Sequence, residues 1–269
     1  MEKLDRGLLK QEAKASIKQA GGKVYLTTLV YLVIVYIVNI LSVKIMYPKI
    51  DITGYILGDI NALAFYPSLL GSIIYAALML ATTVVAFGFV IFMLNVSRNQ
   101  KAEIGNLFDG FARFLKVIWL LLVQMFFIWL WSLLLFVPLG ICLALSLAVP
   151  SLQSIMPIIL IPMFLAYTVF ICIIALRYSM SEYILIDNPH IGALDCINES
   201  KRLMKGRKME YFILQLSFIG WELLTIIPFV SIYVTPYVSV TCANFYNKIS
   251  GTETKDADNT QDNRDPWER

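Results

Sequence analysis

The sequence has few of the residues from which catalytic and metal-binding sites are built. Only 15% of its 269 residues are charged, its one histidine is His190, and its four cysteines form no C-x-x-C pair. Neither a zinc site nor a disulfide framework is therefore indicated. The chain also has no P-loop, no G-x-S-x-G motif, no H-E-x-x-H motif and no paired carboxylate motif. We expect no enzyme activity, no bound metal and no cofactor.

Long apolar runs are what the sequence has in excess. Hydrophobic residues make up 58% of the chain, whereas an ordinary soluble domain is about 45–50% apolar and about 25% charged. A run of about 20 apolar residues is long enough, as a helix, to cross the hydrocarbon core of a bilayer. Because lipid offers no hydrogen-bond partners, the backbone in such a run satisfies itself by forming a helix. The composition predicts an all-α integral membrane protein.

Six transmembrane helices account for these runs. The predicted spans are residues 24–45, 67–94, 117–136, 157–176, 211–228 and 230–246, within a single transmembrane domain of residues 1–248. The first run is too long for the core of a cleaved signal peptide and no A-x-A site closes it, so we expect it to be retained. Residues 249–269 are acidic and polar, and this composition predicts a disordered cytosolic tail.

The last two spans come from one stretch, Tyr211 to Tyr246, which has 36 residues and a single charge. As one helix it would be about 54 Å long, whereas the hydrocarbon core is about 30 Å thick. Two short helices hinged near Pro228 therefore fit better, either as two full spans or as a re-entrant hairpin.

Lysine and arginine are distributed unequally between the two ends of the spans. Sixteen of them lie in the N-terminal segment, the second-to-third loop and the fourth-to-fifth region, whereas Lys44 and Lys49 lie at the opposite ends. Because loops rich in lysine and arginine stay in the cytosol, the pattern predicts a multi-pass plasma-membrane protein with both termini cytosolic.

Short basic segments with amphipathic character precede the odd-numbered spans. From Ile191 to Lys208 one side is apolar, and the other carries Asp195, Glu199, Lys201, Arg202, Lys205, Arg207 and Lys208. Such a helix is suited either to lie on anionic inner-leaflet lipids or to pack against other cytosolic segments. Lys23, Lys116 and Lys208 end the three segments at spacings of 93 and 92 residues. This indicates a threefold pseudo-repeat of helical hairpins, although any evenly spaced six-span protein with basic cytosolic loops has the same pattern.

Glu222, next to Trp221, is the single charge of the last stretch and lies near the middle of its predicted span. A charge at the centre of a span costs about 2.5–3.5 kcal/mol on insertion scales, so it usually faces a partner, a cavity or a transport path. One hypothesis is a carboxylate that binds a proton or a cation. The alternatives are a protonated Glu bonded to a neighbouring helix, and a Glu that extends out of a short span.

Other polar residues lie in or near the spans. Arg177, Glu182 and Asp187 occur close together at the inner end of the fourth span. They favour a gate or a lipid head-group site, or more simply an arginine that extends to the membrane interface. Polar residues inside the spans are predicted to form hydrogen bonds between helices; they are Asn39, Gln124, Gln215 and Asn244.

Several short motifs lie between Arg177 and Tyr246. They are Arg177-Tyr178-Ser179-Met180-Ser181-Glu182, Asp187-Asn188-Pro189, Ser200, Leu203-Met204-Lys205-Gly206, Phe218-Ile219-Gly220-Trp221, Pro236-Tyr237 and Phe245-Tyr246. This set resembles an uncharacterised family of integral membrane proteins of Gram-positive bacteria, the domain of unknown function numbered 975, and Asp109-Gly110-Phe111 fits as well. The chain is also distantly similar to the membrane domain found beside some glycerophosphodiester phosphodiesterases.

The resemblance implies a membrane fold and carries no activity with it. It implies candidate functional or structural roles for Arg177, Glu182, Asp187, Pro189, Gly206, Trp221, Pro236 and Tyr237. Glu222 stands outside the motif and remains a candidate on its charge alone.

Three functions are open at this point. The lack of catalytic groups and the basic surface helices favour a non-enzymatic scaffold, accessory or envelope-stress component of the bacterial plasma membrane. Glu222 and the proline-broken helices favour a small transporter or channel, and the basic inner segments favour a lipid-handling protein. The expected partners are the bilayer, its anionic inner-leaflet lipids, and a second copy of the chain or another membrane protein. No nucleic acid partner is expected.

Overall fold

The computed structural model describes residues 4–46, 69–149 and 156–251, and every regular element in these ranges is helical. The helices are α1 (Arg6–Ala20), α2 (Gly22–Met46), α3 (Leu69–Ser97), a 3₁₀ helix (Ile104–Arg113), α4 (Phe114–Ala148), α5 (Met156–Tyr178), α6 (Ser181–Asp187), α7 (Ala193–Leu203), α8 (Lys208–Leu216), α9 (Ile219–Leu224) and α10 (Pro228–Ser250). The predicted all-helical fold is confirmed for these ranges. Residue 67, where the second span was predicted to begin, and the acidic tail beyond Gly251 lie outside them.

Four segments of the described chain are helical, long and apolar enough to cross a membrane. They are Gly22–Met46, Leu69–Ser97, Ile104–Leu134 and Ile158–Asp187. Large apolar side chains are exposed along them, such as Leu69 at 80% and Leu115 at 78%, as expected where the surroundings are lipid and not water. By length and composition the chain is a multi-pass membrane protein. The six-span topology and the threefold repeat stay predictions.

The stretch predicted to hold the last two spans forms three helices. Ser217 and Phe218 form a turn between α8 and α9, and residues 225–227 separate α9 from α10. The predicted fifth span of residues 211–228 is therefore interrupted twice, and the first break lies beside Ser217 and Gly220, two weak helix formers. Pro228 is the first residue of α10, a position where its missing N–H costs no helical hydrogen bond.

The chain divides into two compact units, each built from segments that are distant in sequence. Unit 1 takes Met1–Arg6, Trp119–Gly220 and Phe245–Arg269, and unit 2 takes Gly7–Ile118 and Trp221–Asn244. Each unit therefore combines an early part of the chain with part of α10.

The core of unit 2 joins α1 to the helices that follow it. Its buried members are Ala13, Ile17, Val24, Phe89, Phe92, Met93, Val96, Leu107 and Val240. The apolar face of α1 is thus used for packing within the protein. The side-chain amide of Asn244 also donates to the Leu9 carbonyl oxygen at 3.3 Å, which ties α10 to α1 and confirms the predicted interhelical bond.

Two glycines let α3 and the 3₁₀ helix approach closely. A Cβ at Gly110 would lie 2.5 Å from the Val84 carbonyl oxygen, and a Cβ at Gly88 would collide with the Leu107 carbonyl group. The obstructing atoms belong to the backbone and cannot rotate away. Gly110, in the Asp109-Gly110-Phe111 motif, therefore has a packing role.

The core of unit 1 lies where α5 ends and α6 and α7 follow. Its most buried side chains include Met180, Ile184, Leu185, Cys196, Ile197 and Met204. The face of α7 that carries Cys196 and Ile197 is buried, and α7 packs on α6 and α5. Of the two arrangements open to the segment Ile191 to Lys208, α7 thus packs against other helices. The turn after α7 contains Gly206 at φ +80°, a left-handed conformation that favours glycine.

Candidate functional site

One buried serine fixes the end of α5 to α7. The Ser200 hydroxyl donates to the Arg177 carbonyl oxygen at 2.8 Å and accepts from the Met180 backbone N–H at 3.2 Å. The last carbonyl oxygens of a helix accept no hydrogen bond from within the helix, so they need a donor from elsewhere. Ser200 supplies that partner at the break between α5 and α6, and its side chain is fully buried there.

Asp187 ends α6 with a bond to α10. The Tyr246 hydroxyl donates to the Asp187 carboxylate at 2.8 Å, and the Tyr246 ring stacks on the Tyr183 ring with centroids 5.0 Å apart. Pro189 follows two residues later and cannot continue the helix. Asp187 and Pro189, both predicted as candidate residues, therefore shape and hold the end of α6.

A cavity of about 400 Å³ opens beside this bond. It is lined by Ile184, Asp187, Asn188, Glu199, Arg202, Leu203, Tyr246 and Ser250. Within it the Arg202 Nε donates to the Glu199 carboxylate at 2.7 Å. The Arg202 side chain is 74% exposed, so solvent screens this ion pair and it adds little stability. The charged groups of the cavity thus already have partners within the protein.

Arg177, Lys201 and Lys208 form a group of positive charges where α5, α7 and α8 meet, which we call the cationic cluster. The Lys201 Nζ lies 5.0 Å from the centre of the Phe127 ring and 5.7 Å from that of Tyr178. The Ser200 bond brings α7 to the backbone of Arg177, and the Lys201 ammonium is close enough to the Arg177 charge for the two to repel each other.

The surroundings of the cationic cluster disfavour its charges. Desolvation by burial lowers the pKa of both Lys201 and Lys208, and the Arg177 charge lowers the pKa of each further. The Lys201 ammonium donates to the Asn198 amide oxygen at 3.3 Å, which is a neutral partner. Within the described ranges no carboxylate forms an ion pair with any member of the cluster.

The three charged residues predicted to cluster at the end of the fourth span are not paired with one another. Arg177 lies in the last turn of α5, Glu182 in the first turn of α6, and Asp187 at the end of α6 with its bond to Tyr246. Glu182 is half-buried. The Arg177 charge instead acts on Lys201 and Lys208, and within the described ranges no acid forms an ion pair with it.

The other predicted residues lie away from this junction in the chain. Trp221 and Glu222 are exposed on α9, a six-residue helix, and Glu222 is two residues from its end. Pro236 lies inside α10. Tyr237 packs against the core of unit 2, with the Lys14 Nζ 5.4 Å from its ring centre.

Lys201 and Lys208 of the cationic cluster, and the Phe127 ring that contacts Lys201, had not been identified from the sequence. Lys201 and Lys208 were visible only as members of a basic run, and Phe127 only as one of many aromatic residues in a span. Phe127 and Lys201 are 74 positions apart, and no spacing rule links residues so distant. Gln124 gave the one local signal: its predicted interhelical bond reaches the Tyr178 carbonyl oxygen at 3.4 Å and brings α4 to the end of α5.

The helices and the junction define a multi-pass helical membrane protein in which short peripheral helices pack at the ends of long apolar ones. The chain matches the family described as "Protein of unknown function (DUF975)" over residues 1–253, and it belongs to that family. No curated protein and no solved structure matches the chain. In the described part of the chain, no three side chains among His, Cys, Asp and Glu are grouped so as to hold a metal ion.

Proposed function

We propose that this protein is a non-enzymatic scaffold or accessory component of the bacterial plasma membrane. The observation that carries the proposal is that the motif residues bond or shape the ends of helices. Ser200 joins α5 to α7, Asp187 bonds Tyr246, and Gly206 forms the turn before α8. A catalytic or transport site needs polar groups that are free to bind a substrate, whereas these groups hold helix ends together.

Six spans with both termini in the cytosol complete the proposed topology. The 23 residues of α10 make a helix about 34 Å long, which is enough to cross a core of about 30 Å. From Lys208 to Leu224 the chain reaches only about 25 Å as helix. In a span this short Glu222 lies near the outer boundary, where its carboxylate reaches water. A reporter fused after Arg269 is expected to read cytosolic, and an extracytosolic signal contradicts the topology.

The threefold repeat is part of the same proposal. A peripheral element precedes a long helix twice, α1 before α2 and the 3₁₀ helix before α4, and α7 in the same way precedes the interrupted stretch that begins with α8. This recurrence supports three hairpins of the same orientation, the arrangement of parallel repeats.

A transporter or channel is the competing function, and a flux measurement separates the two. The purified full-length chain is reconstituted into liposomes that contain a pH-sensitive dye, and a proton or potassium gradient is imposed. We expect no flux above that of protein-free liposomes, and no change on Glu222→Gln. The control is Glu103→Gln, an exposed carboxylate outside the spans. Flux that is lost with Glu222→Gln and kept with Glu103→Gln contradicts the scaffold role.

A lipid-handling role is the second candidate, and the cationic cluster is the observation that favours it. Arg177 lies at the end of a helix able to cross a membrane, its charge acts on Lys201 and Lys208, and none of the three forms an ion pair within the described residues. Anionic inner-leaflet lipids are then the proposed partners, beside a second copy of the chain or another membrane protein. The resemblance to the membrane domain beside glycerophosphodiester phosphodiesterases stays a prediction and assigns no residue a role.

A further inference from the structure

We infer that the cationic cluster, Arg177 with Lys201 and Lys208, binds the phosphate of an anionic inner-leaflet lipid. This site deepens the proposed lipid-handling function, because it names the class of lipid that binds and the residues that bind it. It rests on the proposed topology only for the choice of leaflet, and it is independent of the scaffold role.

The first step is that the positive charges of the cationic cluster are not neutralised by an ion pair. Like charges held close together and partly shielded from water destabilise one another. A structure that keeps Arg177 near Lys201 and Lys208 is stabilised when an anion binds between them. Within the described residues no carboxylate forms an ion pair with the cluster: Glu199 is paired with Arg202, Asp187 accepts from Tyr246, and a buried carboxylate oxygen of Glu210 has no hydrogen-bond partner.

The second step is that the cluster is held in place before any ligand arrives. Ser200 fixes the backbone of Arg177 to α7, and the rings of Phe127 and Tyr178 hold the Lys201 ammonium. Arginine presents a planar fork that matches two phosphate oxygens, and lysine adds point charges. An arginine whose backbone is held by Ser200, with two lysines near it, is therefore suited to a tetrahedral oxyanion.

The third step identifies the source of the phosphate. Leu165, Val169, Ile173 and Arg177 are spaced four residues apart, so they form one row along α5. The three apolar members are exposed, at 64%, 52% and 46%. The row is about 18 Å long, and the hydrocarbon of one leaflet is about 15 Å deep. An acyl chain therefore fits along the row with its head group at Arg177, whereas a free phosphate would make no use of it.

Lipid binding to the purified full-length chain in detergent tests the site. Dioleoylphosphatidylglycerol, dioleoylphosphatidylcholine or inorganic phosphate is titrated, with bound lipid counted by native mass spectrometry and stability followed by thermal unfolding. We expect phosphatidylglycerol to be retained and to raise Tm, and phosphatidylcholine and inorganic phosphate to do neither at matched concentrations.

A matched pair of variants then locates the site. Lys201→Met removes one cation of the cluster, and Lys205→Met removes an exposed one four residues away. One cation near the membrane surface corresponds to about a fivefold change in affinity for an anionic lipid. We expect Lys201→Met to weaken phosphatidylglycerol binding about fivefold and Lys205→Met to leave it unchanged. Without lipid, Lys201→Met should keep its Tm, because it removes a desolvated charge together with that charge's contacts to the Phe127 and Tyr178 rings, and an unchanged Tm shows that the variant folds.

Three outcomes overturn the inference. Equal losses for Lys201→Met and Lys205→Met indicate diffuse attraction to a basic surface. The same Tm rise with inorganic phosphate as with phosphatidylglycerol indicates a soluble ligand. Retention of phosphatidylcholine equal to that of phosphatidylglycerol shows that the net negative charge of the lipid is not recognised. Flux that depends on Glu222, with lipid binding at Lys201 intact, would contradict the scaffold role and leave this site standing.

Discussion

The two units share one packing arrangement but stabilise it by different interactions. In both, a short amphipathic helix packs close to the end of a long apolar one. Unit 2 does this with apolar side chains, with backbone contacts at Gly88 and Gly110, and with the bond from Asn244 to the Leu9 carbonyl oxygen. Unit 1 adds hydrogen bonds through Ser200 and Asp187 to its apolar core. Apolar packing is non-directional, whereas hydrogen bonds also fix where neighbouring charged groups lie, and the cationic cluster occurs beside the Ser200 bonds of unit 1.

The largest effect is expected where backbone meets backbone in unit 2. Gly110→Ala places a Cβ 2.5 Å from the Val84 carbonyl oxygen, so the 3₁₀ helix must move away from α3. Overpacking of this kind costs about 3 kcal/mol, measured as the free energy of unfolding in detergent. Gly105→Ala is the control, because its Cβ meets nothing within 4 Å. Equal stabilities for the two variants would show that unit 2 does not depend on close approach.

A smaller effect is expected at the polar tie of unit 1. Ser200→Ala leaves the Met180 N–H and the Arg177 carbonyl without their buried partner, which costs about 2 kcal/mol in the same unfolding measurement. The control is Ser132→Ala, whose hydroxyl bonds the Trp129 carbonyl at an exposed site and should change stability by less than about 0.5 kcal/mol. If Ser200→Ala behaves like Ser132→Ala, the Ser200 bonds add nothing to the stability of unit 1 and the contrast between the units disappears.

The smallest effect is expected at the bond between α6 and α10. Tyr246→Phe keeps the stacking on Tyr183 and removes the hydroxyl that donates to Asp187. Because this bond is only partly buried, its loss should cost about 1 kcal/mol. Tyr233→Phe removes a hydroxyl from an exposed ring of the same helix and should be neutral. A loss of several kcal/mol for Tyr246→Phe would mean that Asp187 organises far more of unit 1 than its one bond indicates.

Much of the helical framework was predictable from the sequence, as a comparison of predicted and observed helix ends shows. The second span was predicted to end at residue 94 and α3 ends at Ser97, and the fourth was predicted to end at residue 176 and α5 ends at Tyr178. Predictions for the fifth span were less accurate, since α8 and α9 break at Ser217 where a continuous helix was expected. A serine inside an apolar run is compatible with either structure, so composition alone did not show the break.

The site was predictable only in part. Asp187 and Pro189 were recognised as motif residues, and they do end α6. The hydroxyl of Tyr246, 59 positions away, donates to Asp187, and the Arg177 charge acts on Lys201 and Lys208, whereas the sequence grouped Arg177 with Glu182 and Asp187. A charged side chain has several partners within reach, and the choice among them depends on which helix ends meet.

The sequence by itself determined that this protein is helical and lies in a membrane. The physical reason is that an apolar run of about 20 residues has one stable structure in lipid, whatever surrounds it. Tertiary structure alone decided that α1 and α7 bury their apolar faces in protein, that two glycines carry a backbone contact, and that Arg177, Lys201 and Lys208 come together. These features join residues far apart in the chain, and they exist only once the helices have packed.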